Sequence, residues 1–132
     1  MARYLILGAG RFGLYLAGEL QKAGAAVDVL DKEPTVRCQL PADCRFFCDN
    51  AWNILTLRDL DISAYDICYI AMAAEPWATA HIVDELRRRG ARRIVARVVD
   101  EKHAREVMAA GADETICVEQ LAGQTLARQA AL

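Results

Sequence analysis

No stretch of this 132-residue chain is long and apolar enough to cross a bilayer. Its longest uninterrupted apolar run, Ile67 to Ala74, has eight residues, against the roughly 18 to 20 that a spanning helix requires. The N-terminus lacks the order of charged region, apolar core and small-residue cleavage site that marks a secretory signal, so its apolar stretch reads as a first strand. The five cysteines (Cys38, Cys44, Cys48, Cys68 and Cys117) are odd in number and contain no C-x-x-C. That argues against a disulfide framework and for a reducing, cytoplasmic setting, with the thiols packed as small apolar side chains. Only two histidines occur, His81 and His103, neither with a partner at zinc-ligand spacing; both are expected on solvated helix faces. A net charge of −2, from 16 basic and 18 acidic residues, gives no general affinity for nucleic acid or an anionic membrane. There is no linker and no low-complexity stretch. With 55% apolar residues, one domain over 1–132 has material for a sizeable core.

What is present is concentrated at the start. Arg3 to Gly8 read as a buried strand, and Gly8-Ala9-Gly10-Arg11-Phe12-Gly13 comes directly after it. A helical pattern runs from Arg11 to Ala23, and a second apolar run, Ala26 to Leu30, ends in Asp31. Strand, G-x-G-x-x-G, helix, strand, acid is the sequence form of a mononucleotide-binding βαβ unit. The first glycine permits the tight turn, the second lets a pyrophosphate approach the backbone, and the third lets helix and strand pack closely. Free N–H groups and the helix dipole favour a phosphate at the helix start. Asp31 stands 18 residues after Gly13, where a ribose-binding acid is expected; the competing role is a cap on the next helix. The plain alternative for the whole motif is a fold retained for packing with its site empty.

Strands and helices alternate to the end. Strands are expected over 3–8, 26–31, 44–49, 65–72, 92–99 and 113–118, and helices over 11–23, 33–40, 52–59, 75–89, 101–110 and 119–131. Three helix exits repeat one pattern, Ala23-Gly24-Ala25, Arg89-Gly90-Ala91 and Ala110-Gly111-Ala112. Pro76 suits a first helical turn, and Glu75 beside it favours a helix start. Short apolar strands alternating with helices imply right-handed crossovers. The fold class is α/β: a Rossmann-like, doubly wound parallel sheet of six strands in the order 3-2-1-4-5-6. Its ligand crevice falls at the carboxyl ends of strands 1 and 4.

Two charged features need weighing. Arg87, Arg88, Arg89, Arg92 and Arg93 form a basic run, which reads as a solvated helix end rather than an RNA-binding patch. Arg97 is the lone charge in a buried strand. It meets either a phosphate at the strand's carboxyl end or an acid, Asp100 or Asp49. The last helical segment, Glu119 to Leu132, carries a mostly small and apolar stripe through Leu121, Ala122, Thr125, Leu126 and Gln129. It either covers its own sheet or crosses to a second subunit.

The glycine loop, Asp31, Cys48-Asp49-Asn50-Ala51, Ile94 to Val98, Gly111-Ala112-Asp113 and Val118-Glu119 stand in an order that resembles a known family. It is the N-terminal nucleotide-binding domain of regulators of potassium conductance, the RCK or TrkA-N (KTN) domain, and the resemblance runs from Tyr4 to about Leu126. It implies a cytosolic, non-enzymatic domain that gates a potassium channel or transporter membrane subunit on binding NAD(H), or ATP, ADP or AMP, and that assembles as a homodimer or ring. By position, Gly8 to Gly13 would hold the phosphates and Asp31 the adenosine ribose. Asp49 would lie beside the adenosine, Arg97 would face the phosphate side and Glu119 is the acid after strand 6. The candidate nucleotide site is therefore Gly8, Ala9, Gly10, Arg11, Phe12, Gly13, Asp31, Lys32, Asp49, Asn50, Ala71, Met72, Arg97 and Glu119, with no catalytic residue and no metal. Cys48 and Asn50 replace a glycine and an alanine of the family pattern. Ala74-Glu75-Pro76-Trp77 stands where many members carry an acidic stretch ending in asparagine.

Two other functions compete. An NAD-dependent oxidoreductase, or its cofactor half, needs residues set against the nicotinamide. The chain ends 14 residues after Val118 without a substrate domain and without a Ser-x-x-x-Lys, Tyr-x-x-x-Lys or usefully spaced His-Asp pair. A ligand-free structural module that binds partners is the third possibility.

Overall fold

The computed structural model describes residues 1–50, 53–72 and 75–131. Six parallel strands, β1 (Arg3–Leu7), β2 (Ala26–Asp31), β3 (Arg45–Cys48), β4 (Ile67–Ile70), β5 (Ile94–Arg97) and β6 (Glu114–Ile116), form one sheet in the order β3-β2-β1-β4-β5-β6. The helices are α1 (Arg11–Lys22), α2 (Ile54–Asp59), α3 (Pro76–Arg88), α4 (Glu101–Ala110) and α5 (Val118–Ala130). The expected order and the reversal between β1 and β4 are present. Gly24, Gly90 and Gly111, at the three expected helix exits, all have positive φ.

The strands are shorter than expected, although single backbone bonds such as Ala71 N–H to the Leu7 carbonyl and Val98 N–H to the Ile116 carbonyl continue past their ends. The expected 65–72 and 92–99 form strands only over Ile67–Ile70 and Ile94–Arg97. The expected helix over 33–40 is a 3-10 turn, Pro34–Gln39, whose start is capped by Glu33 accepting from the Thr35 N–H. Of the expected helix 52–59, Ile54–Asp59 is helical and residue 52 lies outside the described residues, as do Ala51, Ala73 and Ala74.

Side chains alternate across the sheet, so two cores result. Leu5, Leu7, Leu30, Ile70, Ile94 and Ala96 pack with Ile82, Val83 and Leu86 of α3 and Val107 of α4. Ile6, Val27 and Val29 pack with Ala17 of α1 on the other face. That second face is covered unevenly. No residue of α5 is buried, and Tyr69, Val95 and Ile116, whose side chains lie on the α1 side of β4, β5 and β6, line a groove of about 370 Å³. Of the two possibilities for the last helix, covering its own sheet is not what the structure has.

At the amino edge of the sheet, Asp28 is buried and accepts from Arg45 Nε (2.9 Å), Arg45 Nη2 (2.6 Å) and the Tyr65 hydroxyl (2.6 Å). Burial pushes the Asp28 carboxyl up, but the Arg45 and Tyr65 bonds outweigh it and hold the group below its ordinary value. The basic run is neutralised residue by residue. Arg87 pairs with Asp113, Arg88 with Asp84, Arg89 with Glu85, Arg92 with Asp66 and Arg93 with Glu114.

Two sequence expectations fail locally. His103 is buried, not solvated, because both ring nitrogens find backbone partners. Cys38 and Cys48 are exposed, while Cys44 and Cys68 are packed as expected; burial pushes the Cys68 thiol up to about 12.

Candidate functional site

The crevice is built from the segments that leave the carboxyl ends of the strands. Beyond β1 the chain turns at Gly8, whose N–H donates to the Leu30 carbonyl at 2.8 Å. Its φ of +95° is one that a side chain resists, and a Cβ there would collide with Met72 Cγ. Gly13 faces the Gly8 carbonyl so closely that a Cβ would strike the oxygen, so this glycine sets the approach of α1 to β1. Gly10 differs from both. It caps α1 in an extended conformation, and among the described residues nothing lies within 4 Å of where its Cβ would stand. The first turn of α1 has no side-chain cap and no acidic residue. The positive end of the helix is thus uncapped, with room for a group at Gly10, which is the electrostatic form of an anion site. Arg11, exposed on that turn, makes no ion pair among the described residues.

Asp31 ends β2 and holds two segments. Oδ2 accepts from the Ala9 N–H at 2.7 Å and Oδ1 from the Glu33 N–H at 2.8 Å. The next helical turn is capped by Glu33 and not by Asp31, which instead clamps the glycine loop to the residue that enters that turn. Each oxygen keeps lone-pair capacity for a further donor. Next to it, Lys32 Nζ reaches Glu75 Oε1 at 3.3 Å, and the Lys32 carbonyl accepts from Cys48 Sγ at 3.6 Å. After β3, the Asp49 N–H donates to the Asp31 carbonyl at 3.0 Å, and its carboxylate accepts from the Asn50 N–H at 2.7 Å. After β4, the Ala71 N–H donates to the Leu7 carbonyl at 2.8 Å, and Met72 lies over Gly8. Gly8 to Gly13, Asp31, Lys32, Asp49, Asn50, Ala71 and Met72 are thus gathered at the carboxyl ends of four adjacent strands.

Arg97 meets that group at Phe12, and Glu119 joins it through Arg97. Arg97 ends β5 on the α1 face. Its guanidinium lies 5.6 Å from the Phe12 ring centroid, and Nη2 donates to Glu119 Oε1 at 2.8 Å. Neither of the acids expected to meet Arg97, Asp100 or Asp49, is its partner; Glu119 is. Arg97 Nε is buried with no hydrogen-bond partner among the described residues. The Glu119 carboxyl is held below its usual range by a bond to its own backbone N–H and then by Arg97. Arg97 lines the uncovered groove together with Phe12, and Glu119 reaches it through its bond to Arg97.

Sequence reasoning misses two residues. Glu75 reads only as a helix-start acid; its reach to Lys32, 43 positions away, has no local signature. His103 Nδ1 accepts from the Val99 N–H at 3.1 Å. That leaves the Nε2 hydrogen for the Pro76 carbonyl at 2.8 Å. The imidazole therefore ties the start of α3 to the segment after β5. Among the described residues no cluster of three or more His, Cys, Asp or Glu side chains suits a metal, and no helix is long and apolar enough to cross a membrane.

Residues 4–118 match the family model of the TrkA-N domain. The "Trk system potassium uptake protein TrkA homolog" of Methanothermobacter thermautotrophicus is 29% identical over 120 residues, 89% of this chain and 55% of that protein. The "Ktr system potassium uptake protein A" of Vibrio alginolyticus is 27% identical over 128 residues, 96% of this chain and 58% of that protein. The chain spans just over half the length of these relatives. Among solved structures, the Shewanella denitrificans Kef CTD in AMP-bound form superposes with a TM-score of 0.84 at 24% identity, covering 98% of this chain and 79% of that one. The GsuK channel bound to NAD superposes at 0.82 and 16% identity, covering 95% of this chain and 23% of that one.

Proposed function

The chain belongs to the TrkA-N domain family, and from that premise we propose that it is a cytoplasmic nucleotide-sensing regulatory domain acting on a potassium channel or transporter. The whole chain, 1–132, is read as one such domain. The observation that carries the reading is the uncapped start of α1 at Gly10, beside an acid, Asp31, already fixed in place by the loop it would share with a ligand.

NAD(H) is the leading ligand, with ATP, ADP or AMP as alternatives. Two proteins of the same fold support this class, one bound to NAD and one to AMP. The diphosphate would lie against Gly10 and the α1 amides, with Arg11 available to it. The ribose diol would donate to Asp31, and the adenosine would sit near Asp49 and Asn50, with Ala71 and Met72 as the floor. Binding without turnover is the expected behaviour, as the curated relatives are named potassium uptake proteins.

A regulator must bind its ligand with different affinity in two states. Assembly supplies those states. The exposed α5 and the uncovered groove along β4–β6 are the two halves of an interface: a second copy's α5 would fill the groove, and two-fold symmetry would repeat the contact. Arg97 and Glu119 lie where that interface meets the glycine-loop helix through Phe12. The homodimer, or a ring built from it, would transmit the nucleotide state to the membrane subunit.

Calorimetric titration of the purified protein with NAD, NADH, ATP, ADP and AMP tests the reading. Saturable binding of at least one of them is expected. No binding by any would leave a structural interaction module as the better description. Steady reduction of NAD with small alcohols, hydroxy acids or amino acids would restore the oxidoreductase.

A further inference from the structure

Asp31 and Lys32 pull dinucleotide specificity in opposite directions. A carboxylate after β2 favours a free ribose diol and repels a 2′-phosphate, whereas a cation beside it accommodates that phosphate. On sequence alone Asp31 favours the free diol, and Lys32 weakens that preference by offsetting the repulsion. In the structure that offset is removed, because the Lys32 ammonium is drawn to Glu75 at the entry to α3, at 3.3 Å. Glu75 belongs to the segment after β4, on the far side of β1 from β2, so the ion pair bridges the crevice opening. The adjacent acid in the chain, Glu33, is turned to the Thr35 N–H and hydroxyl, at 3.3 and 3.1 Å. Glu75 is the more sheltered partner, with its side chain 26% exposed against 64% for Lys32.

We propose that Glu75 is a specificity-determining residue. By holding Lys32 it leaves the Asp31 charge uncompensated at the ribose, and so makes the site select dinucleotides with a free 2′-hydroxyl against those carrying a 2′-phosphate. The proposal rests on the nucleotide-binding reading above. It assigns to Glu75 a positioning role exerted through Lys32. Substituting Glu75 releases a cation next to the ribose edge, and an exposed pair of this kind shifts equilibria by up to about fivefold.

The test is the ratio of NAD to NADP affinity, measured by competition on the full chain for wild type, Glu75→Gln, Lys32→Gln and the double variant. Wild type should prefer NAD. Glu75→Gln should move the ratio about threefold to fivefold toward NADP, chiefly by tightening NADP. In the Lys32→Gln background the same substitution should leave the ratio unchanged, since no cation remains to release. An unchanged ratio in Glu75→Gln, with NAD still bound, would overturn the proposal and leave the nucleotide site intact. A Glu75→Gln shift that persists without Lys32 would also overturn it, pointing to direct repulsion by Glu75. Wild type that binds neither dinucleotide would overturn both the proposal and the reading beneath it.

Discussion

The Ala9 N–H donates to Asp31 Oδ2 at 2.7 Å, tying the glycine loop after β1 to the last residue of β2. With Oδ1 taken by the Glu33 N–H, the carboxylate accepts from two backbone donors. An amide side chain has only one oxygen, so Asp31→Asn must break one bond and set an NH2 against an N–H. We expect that variant to lose about 1–2 kcal/mol of stability without any ligand, read by urea denaturation, with faster hydrogen exchange at Ala9 or Glu33. Unchanged stability would show that the carboxylate is held for ligand alone.

Gly10 and Gly13 should separate in their effects. Among the described residues a Cβ at Gly10 meets nothing, so Gly10→Val should fold with near-native thermal stability and lose nucleotide binding measured by calorimetry. At Gly13 a Cβ meets the Gly8 carbonyl, so Gly13→Ala should cost about 1–3 kcal/mol through overpacking. Intact nucleotide affinity in Gly10→Val would displace the proposed phosphate position.

The buried Asp28 makes stability acid-sensitive. Its folded pKa lies below the ordinary 3.8, with desolvation opposing and the Arg45 and Tyr65 bonds prevailing. A depressed carboxyl pKa adds stability that is present in full above the unfolded value and is lost as pH falls through the folded one. Denaturation midpoints should therefore drop below about pH 4 in the wild type, and Asp28→Asn should flatten that part of the curve. Asp28→Ala, which leaves the Tyr65 hydroxyl unpaired, should cost about 1–3 kcal/mol at neutral pH.

Assembly is tested on α5. Leu126 is 65% exposed and Leu121 48% exposed in the isolated chain, which suits an interface more than a solvated helix. Light scattering should report a dimer for the wild type and a monomer for Leu126→Glu, with far-ultraviolet circular dichroism unchanged. A wild-type monomer at high concentration, with and without nucleotide, would refute the interface.

The sequence by itself determined the architecture. Gly8, Gly10 and Gly13 between an apolar strand and a helix, with Asp31 ending the next strand, define a βαβ unit through contacts that are local in the chain. Alternation of short apolar strands with helices then leaves few sheet orders once crossovers are right-handed. Even the edge that carries the candidate crevice was legible, because open α/β sheets place ligand sites at strand carboxyl ends.

Tertiary structure decided what depends on direction and on distant partners. Lys32 meets Glu75 and His103 meets Pro76 across gaps that no periodicity spans. Arg97 points to the face bearing Phe12 and Glu119, because strand residues alternate sides and the register of β5 puts Val95 and Arg97 opposite Ile94 and Ala96. The terminal helix carries the same apolar stripe whether or not it packs on its own sheet. Only the fold, with α5 unburied and the groove beside β4–β6 uncovered, distinguishes those outcomes. Such choices are set by geometry and by competition between charges and packing surfaces, and these exist only once the chain has folded.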